Sequence, residues 1–488
     1  MGAHEVLFPP TPYSFKPRAD AATHDAALQK AVLEATWIKD TKRRASFADA
    51  FGPRVDDVRK LAAAIKQHTL DHLDVYLERF VERAEAAGVQ VHFAKDAAQA
   101  SAVVVEIAKR RGLKRCVKAK SMATEEVALV PALQAAGVEA VETDLAEFIL
   151  QIDDDAPSHI VTAMIHKDRR ATGRAMHRVL GVPYTEDPPT LTRIAREHLR
   201  GKYRAADLGV AGGNFLVAET GSLVLCTNEG NGRMCTTLPA ASPGVHVAVV
   251  GIEKLVPSME HLAVMLKVLA RSSTAQPLTV YTQVITGPRR PGEVDGPGEV
   301  HVVLLDNGRT GVLAGDGREM LRCIRCGACL NTCPVYRKIG GHAYGSVYSG
   351  PIGAILTPHL RGLEQYPDLP HASTLCGACY EVCPVRINIP QHLTRLRGEA
   401  VAQGHETRAQ RATFRAWAAV LRRPWLYRVV NRLQRTALRM RGGAKWGDGY
   451  DDRAWVKDMP GARGWTDVRD LPTPTSRSFR DWWERRDV

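Results

Sequence analysis

The sequence predicts a multidomain protein in which an α/β layer is joined to largely helical segments. Three observations carry this. Strand and helix patterns alternate between Val89 and Asp306. Seven of the ten cysteines crowd between Cys323 and Cys383. An arginine-rich stretch from Arg408 to Arg441 places apolar residues at helical spacing. The expected divisions are a helical N-terminal region (1–68), an α/β domain (69–308), a cysteine-rich domain (309–398) and a basic C-terminal region (399–488). At about 150 residues per domain, a chain of 488 residues has room for this arrangement.

The chain reads as helical as far as Gly88. In FADAFGPRVDDVRKLAAAIKQHTLDHLDVYLERFVERAEAAG, the residues Leu61, Ile65, Leu70, Leu73, Leu77, Phe80 and Val81 follow three- and four-residue spacing. Gly88 is a helix stop. From Val89 the pattern alternates. VQVHFA, CVKAK, VEAVETD and HIVTAMI read as strands, and AAQASAVVVEIAKRRG and ATEEVALVPALQAAG between them read as helices. That order predicts a largely parallel sheet. NFLVAET, GSLVLCT, HVAVVGI, LTVYTQVI and EVHVVLLD form a second run of strands. TGPRRPGEVDGPG, from Thr286 to Gly298, reads as a loop inside the domain because a strand follows it. LGVAGGN lacks the G-x-G-x-x-G spacing and precedes a strand, so no NAD site is expected.

Composition narrows the function classes. With 45% apolar and 24% charged residues, wholesale disorder, collagen-like repeats and a disulfide scaffold are excluded. No apolar run approaches the ~18 residues of a membrane-spanning helix. The opening MGAHEVLFPPTPYSF reads as neither a secretory signal nor, with Val6 in place of Ser or Thr, a myristoylation sequence. The expected location is therefore the cytoplasm. The net charge is +13, and residues 401–488 hold 19 Lys and Arg against 10 Asp and Glu. Arg408 to Arg441 contains ten arginines and no acid. Phe414, Trp417 and Leu421, then Trp425, Val429, Leu433 and Leu438 beyond Pro424, form an apolar stripe. Such a basic amphipathic pair suits an acidic partner or an anionic membrane at its inner face. Nucleic acid is not expected, because no nucleic-acid fold accompanies it. Docking within a complex is the preferred reading, against a helix pair that simply packs on its own domain.

The cysteines carry the chemistry. Without an export signal, metal binding is a better reading of the crowded seven than disulfides. Cys323-Ile-Arg-Cys326-Gly-Ala-Cys329-Leu-Asn-Thr-Cys333-Pro334 follows C-x2-C-x2-C-x3-C-P without deviation, the run of cubane iron–sulfur clusters. Three thiolates, each separated from the next by two residues, share one tight loop and cap three irons of one cube. The fourth serves a second cube. Zinc is the alternative, but its four ligands usually come in two paired groups. Cys376-Gly-Ala-Cys379-Tyr-Glu-Val-Cys383-Pro384 repeats the run without its first cysteine, where Ser373 stands. The last cysteine of each run ligates the other cluster in two-cluster ferredoxins. Cluster one is therefore expected on Cys323, Cys326, Cys329 and Cys383, and cluster two on Cys333, Cys376 and Cys379. One iron of cluster two then lacks a thiolate. It is absent in a [3Fe–4S] cluster, bound by Ser373 or another oxygen, or open to water or substrate. The glycines from Gly340 to Gly353 read either as backbone pressed against something bulky or as a turn-rich loop. His342 and His359, between the two cysteine runs, are further ligand candidates, although solvated loop histidines are commoner.

Several stretches outside the cysteines complete a pattern. They are Lys118 to Glu126, Val141 to Leu145, Pro157 to Ile160, Glu219 to Ser222, Asn228 to Arg233, Asp306 to Arg309, Gly340 to Gly345 and Ser478 to Trp482. With both cysteine runs, they resemble the bacterial lactate utilization protein B family over nearly the whole chain. The resemblance implies a lactate-utilization (LUD) domain similar to the sugar-phosphate isomerase and CoA-transferase α/β fold. It implies a cluster domain similar to the α-helical ferredoxins of succinate dehydrogenase and heterodisulfide reductase. It further implies two [4Fe–4S] clusters, the second with three cysteine ligands, so that Ser373 belongs to the family pattern. The implied role is in a complex with two companion proteins that oxidises L-lactate to pyruvate without a nicotinamide cofactor. Ala146 departs from the family's Gly, which bears only on the backbone after Leu145.

The expected function is thus an electron-transfer subunit of a NAD-independent L-lactate dehydrogenase complex. Two other classes remain: a chain that itself binds and oxidises substrate, and a redox-sensing assembly or regulatory protein. Lactate oxidation needs a base for the hydroxyl proton and a cation for the carboxylate. His159, His166, Lys120, Glu125, Glu219 and Arg233 are the candidates in the matched stretches, with no catalytic residue assigned. His159 also reads as the cap of a strand or helix, and Glu219 with Thr220 as part of a turn. NEGNGR is a glycine-bearing loop between strands, suited to cradling a phosphate or carboxylate. Cys226 and Cys235 read as buried thiols.

Overall fold

The alternating segment folds into ten strands: β1 (Val89–Ala94), β2 (Arg115–Lys118), β3 (Glu139–Glu142), β4 (Leu208–Ala211), β5 (Phe215–Val217), β6 (Ser222–Thr227), β7 (Val245–Gly251), β8 (Leu255–Val256), β9 (Tyr281–Ile285) and β10 (Glu299–Leu305). The computed structural model describes residues 3–238, 244–442, 454–459, 463–466, 469–474 and 478–485. It divides into two compact units, Met1–Gln403 and Gly404–Val488.

Six strands form one sheet in the order β1-β10-β7-β4-β2-β3, and every pairing is parallel. Both faces are covered, so β4 and β7 are buried along their whole length. This is why the β7 segment HVAVVGI reads as a nearly continuous apolar run rather than an alternation. β2 leads outward to β3 on one side, while β4 leads to β7 and β10 on the other. The crevice beyond the carboxyl ends of β2 and β4 is therefore a topological switch point, where ligands of open α/β sheets bind. The second run makes a smaller sheet in the order β8-β5-β6-β9. The Thr286–Gly298 loop connects β9 to β10 within the same unit.

One expected strand is absent. HIVTAMI, from His159 to Ile165, consists of bends and turns. The His159 Nδ1 accepts from the backbone N–H of Val161 and Thr162 at 3.0 and 3.1 Å, which curls the chain. The Ser158 carbonyl accepts from the Tyr336 hydroxyl at 2.6 Å, so this segment packs on the cysteine-rich region instead of joining the sheet. Ala146 lies in helix Leu145–Ile152, capped by Asp144, so its departure from Gly leaves an ordinary helix.

The N-terminal helices and the cysteine-rich region share a core. Helix Ala26–Phe51 is capped by Asp25, whose carboxylate accepts from the Leu28 N–H at 2.9 Å. Its Val32 and Phe47 pack with Leu330, Tyr336, Tyr344 and Cys326. Helices Val55–Asp71 and Leu73–Ala86 follow, the latter ending just before β1.

In the C-terminal unit, helices Arg408–Leu421 and Pro424–Arg441 pack on each other. Thr407 and Gln410 cap the first reciprocally, and Pro424 at the start of the second ends the continuity between them. Phe414, Trp417, Trp425 and Leu433 are exposed, whereas Leu438 is buried. Among the described residues, no helix is long and apolar enough to cross a membrane.

Candidate iron–sulfur centres and an adjoining cavity

All seven cysteines between Cys323 and Cys383 are free thiols. They fall into two adjoining neighbourhoods. Cys326 interacts electrostatically with Cys383 and Cys323, Cys329 with Cys326 and Cys323, and Cys383 with Cys323. Cys333 interacts with Cys376, and Cys379 with Cys333 and Cys376, while interactions of Cys329 with Cys379 and of Cys379 with Cys383 join the two neighbourhoods. The fold thus brings the last cysteine of the second run to the first three of the first.

Burial pushes the thiols of Cys326 and Cys379 up to about 12 and that of Cys383 up to about 11, and neighbouring thiols add to it. Buried thiols that repel one another as thiolates suit a cationic metal group, which deprotonates its sulfur ligands outright. Backbone N–H groups already point at the sulfurs: Arg325 to Cys323 at 3.4 Å, Tyr336 to Cys333 at 3.5 Å and Ile387 to Cys383 at 3.4 Å. Such hydrogen bonds to ligand sulfur hold its orientation and tune potential. The donor set therefore fits iron–sulfur clusters.

Ser373 stands where the missing cysteine belongs. Its Oγ accepts from the Leu375 N–H at 3.1 Å, the counterpart of the Arg325 bond to Cys323. The glycines of the intervening loop serve close approach within the protein. A Cβ on Gly341 would overlap the Ser158 carbonyl oxygen, and Gly350 presses on Leu330 with φ at +70°. His342 is occupied by the Ala156 carbonyl at 2.8 Å, and His359 by the Ile355 carbonyl at 2.8 Å.

A cavity of about 330 Å³ opens at the carboxyl ends of the parallel strands. Lys120, Ser121, Asp144, Asn214, Glu253, Lys254 and Arg309 line it from the α/β layer, and Arg325 and Tyr348 from the cysteine-rich region. The loop between Cys323 and Cys326 is thus part of its wall. Burial first, and then the nearby Arg325, push Lys254 down to about 8. Burial opposes ionisation of Glu253, yet Arg309 and Arg325 hold it down at about 2.

Of the six candidates beside the cysteines, only Lys120 lines this cavity, and Glu147 pairs with it at 2.8 Å. His159 is buried against the first cysteine loop, with Nε2 at 3.2 Å from Asn331, and burial holds it neutral, down to about 3. His166 joins Asp155 and Ser158 at 2.9 and 2.7 Å. Glu125 accepts from the buried Lys118 at 3.0 Å. Glu219 caps the Met259 N–H at 3.0 Å, which is the turn role. Arg233 pairs with Asp295 in solvent. NEGNGR is not all loop: from Asn231 it is a short helix, Asn231–Thr236, although Asn228, Glu229, Asn231 and Gly232 do reach the cavity wall. Cys235 is buried beside Thr143, and Cys226 is largely buried on the cavity wall. Sequence reasoning missed Lys254, Glu253 and Arg325. Arg325 was in view inside the cysteine run, but nothing in its spacing says where the side chain goes.

Residues 77–305 match the LUD domain, 319–387 the 4Fe-4S dicluster domain, and 386–488 the C-terminal domain of lactate utilisation protein B. An uncharacterized electron transport protein of Escherichia coli K12, YkgF, is 41% identical over 472 residues, covering 96% of each chain. Lactate utilization protein B of Oceanobacillus iheyensis is 40% identical over 475 residues, 97% of this chain and 96% of the relative. That of Geobacillus kaustophilus is 43% identical over 433 residues, 88% of each. No solved structure matches the chain. With a parallel-sheet LUD domain, a 4Fe-4S dicluster domain and this identity over nearly its full length, the chain belongs to the lactate utilization protein B family.

Proposed function

We propose that the chain is the electron-transferring subunit of a complex that oxidises L-lactate to pyruvate without NAD. The observation that carries this reading is the pair of thiol neighbourhoods, set in a chain about 40% identical to lactate utilization protein B. Cys323, Cys326, Cys329 and Cys383 would hold one [4Fe–4S] cluster, and Cys333, Cys376 and Cys379 a second with three cysteine ligands. When bound, such clusters supply one-electron storage and transfer. The chain's own contribution is to bury Cys326 and Cys383 of the first group, whose loop adjoins the cavity, to leave Cys376 exposed at the second, and to aim backbone N–H groups at the sulfurs. Ser373, hydrogen-bonded like a ligand cysteine, supports an oxygen near the fourth position of the second cluster.

The same reading gives the LUD layer the sugar-phosphate isomerase and CoA-transferase type of architecture and the cluster region that of the α-helical ferredoxins. Cysteines reserved for iron–sulfur clusters rather than disulfides fit a reducing compartment, the cytoplasm. The exposed aromatic and arginine-rich faces of Arg408 to Arg441 would dock on an acidic surface of a companion protein. One observation favours a second reading, in which this chain also binds the substrate: the cavity shares its wall with the first cysteine loop.

The test is anaerobic iron and sulfide analysis with EPR, before and after L-lactate. Two clusters that are reduced only once the companion proteins are added support the relay. Reduction by lactate in the isolated chain replaces it with the second reading, and a chain without clusters sinks both. A [3Fe–4S] signal in the oxidised protein would overturn the complete second cube.

A further inference from the structure

Four cations lie close together here, Lys254, Arg309 and Arg325 on the cavity wall at its β7 end and Lys66 buried near them, against two carboxylates, Glu253 on the wall and Glu126 beside Arg309. Two of the four are fully used. Arg309 gives Nε to Glu253 at 2.6 Å and both terminal nitrogens to Glu126 at 2.9 and 2.8 Å. Lys66 donates to the backbone carbonyls of Glu253 and Leu255. The other two are not. Arg325 reaches Glu253 with Nη2 at 3.3 Å and lies over the Tyr348 ring, but its buried Nη1 has no hydrogen-bond partner among the described residues. Its side chain is only 7% exposed. Lys254 lines the same cavity and forms no ion pair or hydrogen bond with a described residue. A buried charged donor without an acceptor is costly, and its strongest partner is an anion.

We propose that this end of the cavity binds the carboxylate of a small organic acid, with Arg325 and Lys254 as its donors. The inference deepens the second reading, in which this chain also binds the substrate, and rests on it in taking a 2-hydroxy acid as the natural ligand. The remaining cavity wall is consistent with it. A volume of about 330 Å³ accommodates a small molecule. The site lies at the carboxyl ends of parallel strands, next to the switch point between β2 and β4. The acidic wall residues Asp144 and Glu229 belong to the β3 end, since Glu229 accepts from the Leu145 N–H. Three strand spacings, about 14 Å, separate that end from β7, so these acids do not contest the anion. The bound acid would touch Arg325, whose own N–H points at the Cys323 sulfur at 3.4 Å. Ligand binding and the first thiol group are thereby neighbours.

A competing account is that the cations only offset the negative charge of ligand thiolates. The test separates the two. The full-length chain with its clusters assembled, kept anaerobic and free of companion proteins, is titrated calorimetrically with L-lactate, with oxalate and with inorganic phosphate. Oxalate lacks the hydroxyl and C–H hydrogens that lactate gives up, so it reports binding apart from lactate's route of oxidation. Saturable binding of lactate or oxalate is expected, weakened about tenfold or more in Lys254→Gln and in Arg325→Gln. Iron and sulfide content should be unchanged in Lys254→Gln, which lies outside the cysteine loops and keeps the test valid if Arg325→Gln loses its cluster. No saturable binding by the cluster-loaded chain overturns the proposal, as does undiminished binding by Lys254→Gln. Phosphate binding more tightly than either carboxylate overturns the ligand class. Failure of companion proteins to reduce the clusters would instead sink the relay reading, with anion binding intact.

Discussion

The two cysteine runs trace the same backbone but meet different surroundings. Arg325 and Leu375, each just before a cysteine, are both left-handed, with φ at +60° and +57°. Gly327 and Gly377 follow at +75° and +85°, and each opens a short helix, Ala328–Thr332 and Ala378–Glu381. There the likeness ends. Arg325 is buried against Glu253 and Tyr348 of the cavity wall, while Leu375 and Cys376 face solvent. A cysteine leads the first run and Ser373 the second. The difference teaches that one local motif was used twice, once turned inward to a cavity and once outward to the surface. Such an asymmetry suits a path with a buried end and an exposed end.

The largest test of this contrast removes a ligand from the inward run. Cys329→Ser should cost about half of the bound iron, as one of two cubes is lost. Iron and sulfide analysis reads this, and full cluster content would break the ligand grouping. Next, Ser373→Cys should make the outward run match the inward one. An added thiolate brings negative charge, so the second cluster's potential should fall in an EPR-monitored titration. An unchanged potential and spectrum would show that position 373 lies away from the iron.

The two glycines give a finer comparison. Both have positive φ, so alanine is strained at either site. At Gly327, however, a Cβ would also meet His159 at 3.1 Å and Val161 at 3.3 Å, whereas nothing lies within 4 Å at Gly377. Gly327→Ala should therefore destabilise by about 1–3 kcal/mol more than Gly377→Ala in denaturant unfolding. Equal losses would mean that the inward packing is looser than the geometry indicates.

The smallest effect concerns acid. His159, packed on the inward run, stays neutral down to about pH 3, below the ordinary histidine range near 6.5. Burial is the main cause, with Lys39 and Lys120 adding repulsion and Asn331 opposing. The unfolded chain binds the proton that the native state refuses, so stability falls as pH drops from about 6.5 towards 3. The slope contributed is at most about 1.4 kcal/mol per pH unit. His159→Gln should flatten that slope in unfolding measured between pH 7 and 5. An unaltered slope would place the acid sensitivity elsewhere.

Much of the fold was legible because its signals are local. Eight of the ten strands lie in segments whose apolar runs announced them, and Pro424 marked the break between the basic helices, but β4 was missed because its Leu208–Ala211 opens the glycine-bearing run LGVAGGN. β8, only Leu255–Val256, was too short to show a pattern. HIVTAMI misled because an apolar run that packs on another region looks like one that joins a sheet. The candidate polar residues could not be sorted from sequence for a related reason. His159, Glu219 and Arg233 are polar residues in the family's stretches, but one supports a loop, one caps a helix and one pairs in solvent.

The sequence by itself determined the cluster chemistry. Three thiols, each separated from the next by two residues, must share one loop whatever surrounds them, and no distant residue alters that spacing. Family membership and the parallel layer were likewise written in short-range pattern. Tertiary structure alone decided where each motif faces. The approach of Cys383 to the first run, the meeting of Arg325 with Glu253 across 72 residues, and the packing of Gly341 on Ser158 all join segments distant in sequence. Such contacts depend on how the helices and the sheet close around a shared core, and local spacing carries no record of that closure.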